Sequence, residues 1–157
     1  MRNPALGIPV PRTVAGLRVE TRLIRSRGYD PATAPQISEP AQAVALAAKL
    51  TQSDRERILV FYLSTQNRVL GIQQLSVGAL ASALAPVDAI LRTALLAGAA
   101  GFIVVHNHPS GDPTPSGPDK DLHQRLTRAA ELVDLRLLDS VVVGDGRWTS
   151  LRDRGGA

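Results

Sequence analysis

The sequence predicts one mixed α/β domain, an α+β arrangement with helices laid against a mixed sheet. Three observations carry this. A short, wholly apolar run, Phe102–Val105 (FIVV), stands between two helical patterns, as a buried central strand does. Two apolar runs, Ile58–Leu63 (ILVFYL) and Val69–Val77, are separated only by STQNR, which reads as a hairpin. Helical and strand patterns then follow one another to the C-terminus without an internal repeat, and 157 residues are enough for one domain with a real core.

Residues 1–16 hold three Pro and two Gly and read as irregular. Leu17–Ser26 (LRVETRLIRS) alternates loosely and reads as a strand, and residues 28–37 as a Pro-rich linker. Ser38 opens SEPAQAVALAAKL, an Ala-rich helix with Ser38 as its expected cap and Pro in the first turn. After the hairpin, Pro86–Ala100 (PVDAILRTALLAGAA) reads as a helix with proline at its start. A helix from about Pro118 to Val133 follows the FIVV strand and its loop. Leu135–Val143 (LRLLDSVVV) is a strand, Gly144–Arg147 a turn, and Trp148–Leu151 a last short strand. The chain thus divides into a basic, Pro-rich leader (1–37) carrying one strand, and a domain (38–157).

Composition narrows the chemistry. Aromatics are 3% of the chain, so the core must be built from Ala, Val, Leu and Ile. No run approaches the roughly 18 apolar residues of a membrane span, and prolines interrupt the N-terminus where a signal peptide would be apolar. A cytoplasmic protein, with no membrane partner, is expected. Zero cysteines exclude disulfides and thiolate ligands, so any metal must be held by nitrogen and oxygen. The net charge of +4 resides in the first thirty residues, where six Arg face Glu20 and Asp30. Such an arm can touch nucleic acid or an acidic partner; equally, it can be a solvated leader.

Two of the three histidines stand one residue apart, at the end of the FIVV run, in VVHNHPSGDPTPSGPD. Residues two apart in a strand point to the same side, so His106 and His108 aim both imidazoles at one point. Pro109 keeps His108 extended. Asp119 lies 13 residues after His106, across a Pro/Gly loop, in the first turn of the next helix. Two histidines and one carboxylate leave a fourth position open, the arrangement of a catalytic zinc site, where bound water has a pKa near 7. Ser116 and Asp119 also fit a capping box, which needs no metal. Both readings can hold together, because a capped helix start is a rigid mount for a ligand. His123, four residues after Asp119, is a rival ligand or a solvated surface histidine. Asp112 reads as a turn residue, and Asp121 as a complement to the helix dipole.

The segment HNHPSGDPTPSGPD resembles the JAMM (MPN-plus) motif, His-x-His, seven residues, Ser-x-x-Asp, at His106, His108, Ser116 and Asp119. Its wording, with DRERILVFYLSTQNRVLG, ALLAGAAGFIVVHNHPSG, RLLDSVVVGDG and WTSLRDRG, resembles the RadC family of bacterial JAB-domain proteins over roughly two-thirds of the chain. The resemblance implies a JAB/MPN-like, cytidine-deaminase-like three-layer fold. It implies one zinc ion on His106, His108 and Asp119, Glu56 as general base, and Ser116 as a hydroxyl donor to the oxyanion. Glu56 is the matching acid before the first hairpin strand and the only Glu between Glu39 and Glu131. The family's Pro-Arg-Glu is here Pro86-Val87-Asp88, and its late Asp-His is Asp139-Ser140. Neither departure touches the ligand set. Longer family members also carry a helix-hairpin-helix DNA-contact module, which a chain of this length is not expected to include. The function expected is metallopeptidase- or isopeptidase-like hydrolysis of a peptide or protein substrate. The alternatives are a metal-dependent nuclease or DNA-repair accessory, and a non-catalytic JAB-fold binding module.

Overall fold

A computed structural model describes residues 28–48, 53–76 and 87–152. The elements in chain order are α1 (Pro40–Leu46), β1 (Arg57–Leu63), β2 (Val69–Ser76), α2 (Val87–Leu96), β3 (Gly101–Asn107), α3 (Gly117–Glu131), β4 (Arg136–Val143) and β5 (Trp148–Ser150). The strand expected at Leu17–Ser26 lies outside the described residues. The sheet order is β2-β1-β3-β4-β5, with β3 and β4 parallel and the other pairs antiparallel. The mixed sheet and its helices are as the sequence implied.

Strand periodicity divides the core into two layers. Phe61, Leu63, Ile103, Val105, Val141 and Val143 face one side, where they meet Ile37, Ala43 and Ala47 of the α1 region. Ile58, Val60, Tyr62, Phe102 and Val104 face the other, against Ile90 and Ala94 of α2 and Leu122, Leu126 and Ala130 of α3. The result is a three-layer sandwich. All seven residues of β3 are buried, which explains its unbroken apolar run. Burying each large aliphatic or Phe side chain there contributes about 1.5–3 kcal/mol.

Two boundaries differ from expectation. The first helix is capped by Glu39, not Ser38, and the Gln42 side chain accepts the N–H groups of both Ser38 (2.6 Å) and Glu39 (3.2 Å). β3 runs two residues past FIVV, since its backbone keeps pairing with β1 (Ile58 opposite His106) and β4 (Val143 opposite Asn107) whatever the side-chain polarity. His106 therefore has the parity of Phe102 and Val104 and points toward α3.

Buried Tyr62 sets an alkaline limit. Its hydroxyl donates toward Gln73 and the Ile90 carbonyl, while burial pushes the phenol up to about 12, a hydrogen bond with Thr93 opposing this. Unfolded tyrosine titrates near 10. A raised folded pKa means stability that is complete below about pH 10 and lost as pH rises toward about 12. The melting temperature is expected to fall in that window, and Tyr62→Phe is expected to flatten the fall.

Among the described residues, no helix is long and apolar enough to cross a membrane.

Candidate metal centre

The end of β3, the start of α3 and the residues before β1 meet at one place. One ligand atom from each of Glu56, His106, His108 and Asp119 lies within 4.8 Å of the others. The two imidazoles share one side of the strand, centroids 5.1 Å apart, as the period of two requires. Asp119 sits between them, with Oδ1 3.0 Å from His106 Nε2 and Oδ2 3.2 Å from His108 Nε2. His106 and Asp119 are each 3% exposed; Glu56 is half-buried.

The tautomer of His108 follows from its other nitrogen. Nδ1 lies 2.8 Å from the Asp112 carbonyl, which can only accept, so Nδ1 carries the proton. In the neutral ring Nε2 is then a bare lone pair facing a carboxylate. Two acceptors at this separation need a cation between them, either a proton on the ring or a metal ion. His106 Nε2 and Asp119 Oδ1 are buried and, though 3.0 Å apart, are aligned with no hydrogen-bond partner. Orphaned buried polar atoms of this kind are costly. A metal ion satisfies all of them, so the residues fit one. Burial pushes the Asp119 carboxyl up, but His106 and the Ser116 donors outweigh it and hold the group well below the usual carboxylate range, ionised as a ligand must be.

Ser116 caps α3 and supports the site at once. Asp119 N–H donates to Ser116 Oγ (3.3 Å), while Ser116 N–H and Oγ–H both donate to Asp119 Oδ2 (2.7 Å each). The capping box is real, and it orients the carboxylate with Oδ1 left over. The hydroxyl proton expected at an oxyanion is here committed to Asp119.

His123 is not brought to the cluster. It is half-buried on α3: Nδ1 lies 2.9 Å from Ser140 Oγ on β4, and burial pushes its pKa down against the raising charge of Asp139. Asp112 Oδ1 accepts Thr114 N–H at 2.9 Å, as a turn residue does, and Asp121 pairs with Arg125 at 3.8 Å on α3.

The sequence did not reveal what holds the His108 loop. Gly144, after β4, lies so close to Gly111 that a Cβ would sit 2.7 Å from the Gly111 carbonyl carbon and 3.0 Å from Pro113 N. Gly111 itself has φ +80°, and its carbonyl accepts Asp145 N–H at 3.0 Å. Gly144→Ala must therefore push away the backbone that offers the Asp112 carbonyl to His108. We expect metal affinity to fall about 10–100-fold, the range for lost outer contacts, measured by chelator competition.

An α/β/α domain with a His-x-His pair, an Asp on the next helix and a Glu before the first strand defines a JAB-type domain able to bind a metal ion. A family model described as a RadC-like JAB domain matches residues 37–156, and the chain belongs to that family. It is 40% identical to a UPF0758 protein of Desulfitobacterium hafniense over 83% of this chain and 58% of that protein. It is 37% identical to one of Roseiflexus castenholzii over 90% and 60%, and 45% identical to one of Moorella thermoacetica over 64% and 44%. The chain thus spans little more than half the length of such curated relatives.

Proposed function

We propose that the protein is a zinc-dependent hydrolase of amide bonds, of the JAMM type, acting on a peptide or protein. The observation that carries this reading is the placement of a carboxylate, Glu56, beside a complete His106, His108 and Asp119 set. A binding module or a helix cap has no chemical use for that fourth group. Two imidazoles and one carboxylate are a ligand set that catalytic zinc sites use. Zinc, when bound there, supplies Lewis acidity and brings a water toward ionisation near neutral pH.

The chain's own residues do the rest. The Asp112 carbonyl and Ser116 fix the orientation of His108 and Asp119. Glu56 accepts the proton of the attacking water and delivers it to the leaving nitrogen as the C–N bond breaks and the new C–O bond is complete. Ser116 can donate to the oxyanion only after its hydroxyl turns from Asp119 Oδ2. A cytoplasmic setting belongs to the same proposal. Nucleic-acid contact by the Arg-rich leader is a separate one, and the leader lies outside the described residues. Binding to DNA that falls steeply with salt and disappears on removing residues 1–30 would support it.

The test is a panel of fluorogenic peptides, isopeptide-linked peptides and oligonucleotides offered to zinc-loaded protein. Amide cleavage stopped by a chelator and restored by zinc is expected. Phosphodiester cleavage would move the reading to a nuclease. No cleavage at full zinc content would leave the binding module.

A further inference from the structure

The middle residue of His-Asn-His spends its whole amide on the segment that carries Glu56. Asn107 is 2% exposed. Its Oδ1 accepts Arg57 N–H at 2.8 Å, and its Nδ2 donates to the Arg55 carbonyl at 3.1 Å and reaches the Ser53 carbonyl at 3.4 Å. These partners fix the amide's orientation, since an N–H can meet only the oxygen and carbonyls only the nitrogen. The ladder between β1 and β3 has its last pair at Ile58 and His106. One residue further, the Asn107 side chain takes over from the backbone. It holds the carbonyl before Glu56 and the N–H after it, so both peptide planes flanking Glu56 are fixed. The direction of the Glu56 Cα–Cβ bond is fixed with them. Ser53 tightens the same turn, its Oγ accepting Arg55 N–H (3.3 Å) and Arg57 Nε–H (2.9 Å).

We infer that Asn107 is the positioning residue for Glu56. It ties the strand that presents His106 to the segment that presents the carboxylate, so that both reach one point. The inference rests on the proposed place of Glu56 at the metal. A merely structural asparagine would lower stability across β1 and leave the ion's surroundings alone.

Cobalt(II), bound alone in place of zinc, reads those surroundings through its visible absorption without any turnover. Wild type, Glu56→Gln, Asn107→Ala and the double variant are compared at one cobalt per chain. Asn107→Ala is expected to displace the band as Glu56→Gln does, with no further displacement in the double variant. A wild-type band in Asn107→Ala, displacements that add in the double variant, or loss of the ion as in His106→Ala would overturn the inference. A band indifferent to Glu56→Gln would remove Glu56 from the ion, and so sink the proposed general base together with the positioning role. Asn107→Ala leaves the half-buried Arg57 N–H without its acceptor. Asn107→Asp, which keeps an acceptor for Arg57 N–H but has no donor for Arg55, therefore serves as the second variant, with the same displacement expected.

Amide exchange in the metal-free protein tests the tie independently. The Arg57 amide is expected to exchange at least about tenfold faster in Asn107→Ala, which removes its acceptor, while Phe61 and Tyr62 stay protected. Unchanged protection at Arg57, or lost protection along all of β1, contradicts the inference. Where a cleaved peptide has been found, kcat is expected to drop with KM unchanged, and the double variant to be no slower than Glu56→Gln.

Discussion

Glu56→Gln is expected to lower amide hydrolysis by about 10²–10⁴-fold, the usual contribution of a positioned general base, while metal content stays at the wild-type value. Glutamine has the shape of glutamate and keeps the backbone contacts of the Ser53–Arg57 turn, which do not involve the residue 56 side chain. What it loses is the ability to take a proton. The loss should therefore appear in kcat more than in KM. Measuring turnover and bound metal on the same preparation separates a missing base from a missing ligand. Equal loss of both would make Glu56 a ligand, and unchanged turnover would remove it from the chemistry.

Asp119→Asn is expected to reduce metal affinity by more than about 100-fold, beyond what lost outer contacts cost, with little change in melting temperature. The two effects separate because Asp119 has two jobs. Its Oδ2 takes Ser116 N–H and Oγ–H in the capping box, a task an asparagine oxygen also performs. Its Oδ1 faces His106 Nε2, and there an asparagine presents an uncharged NH2 group that cannot hold a metal ion, while the oxygen near His108 Nε2 also loses its charge. Asp119→Ala removes both and is expected to lose a further ~1 kcal/mol of stability, the typical worth of a cap interaction. Chelator competition alongside thermal melts checks the pair. A large melting-temperature loss in Asp119→Asn with retained metal would reverse the assignment of the two oxygens.

Much of this was legible in the sequence, for physical reasons. Ile58–Leu63 and Phe102–Val105 declare strands because nothing polar interrupts them, and STQNR can only turn the chain. His106, His108 and Asp119 were found because a period of two and a capped helix start place them without knowledge of the rest. Strand ends were less legible. Side-chain polarity changes at His106, whereas backbone pairing goes on through Asn107. The residues that support the site were missed because their partners are distant in the chain. Asn107 meets Arg57 across 50 residues, and Gly144 meets Gly111 from another turn. One signal was available: an asparagine between two buried-side histidines, with no turn at it, must satisfy its amide somewhere. The partner of His123 was missed for the same reason. The histidine's helical spacing from Asp119 is visible in the sequence, but Ser140, which engages it, is supplied by another element.

In the proposed centre His106, His108 and Asp119 hold one zinc ion with Glu56 beside it. Its most direct test is the zinc content of the purified, dialysed protein, with His106→Ala measured in parallel. About one zinc per chain is expected in the wild type, the occupancy of a three-ligand catalytic site, and almost none in the variant. A wild type that takes up no zinc when it is supplied in excess would contradict it.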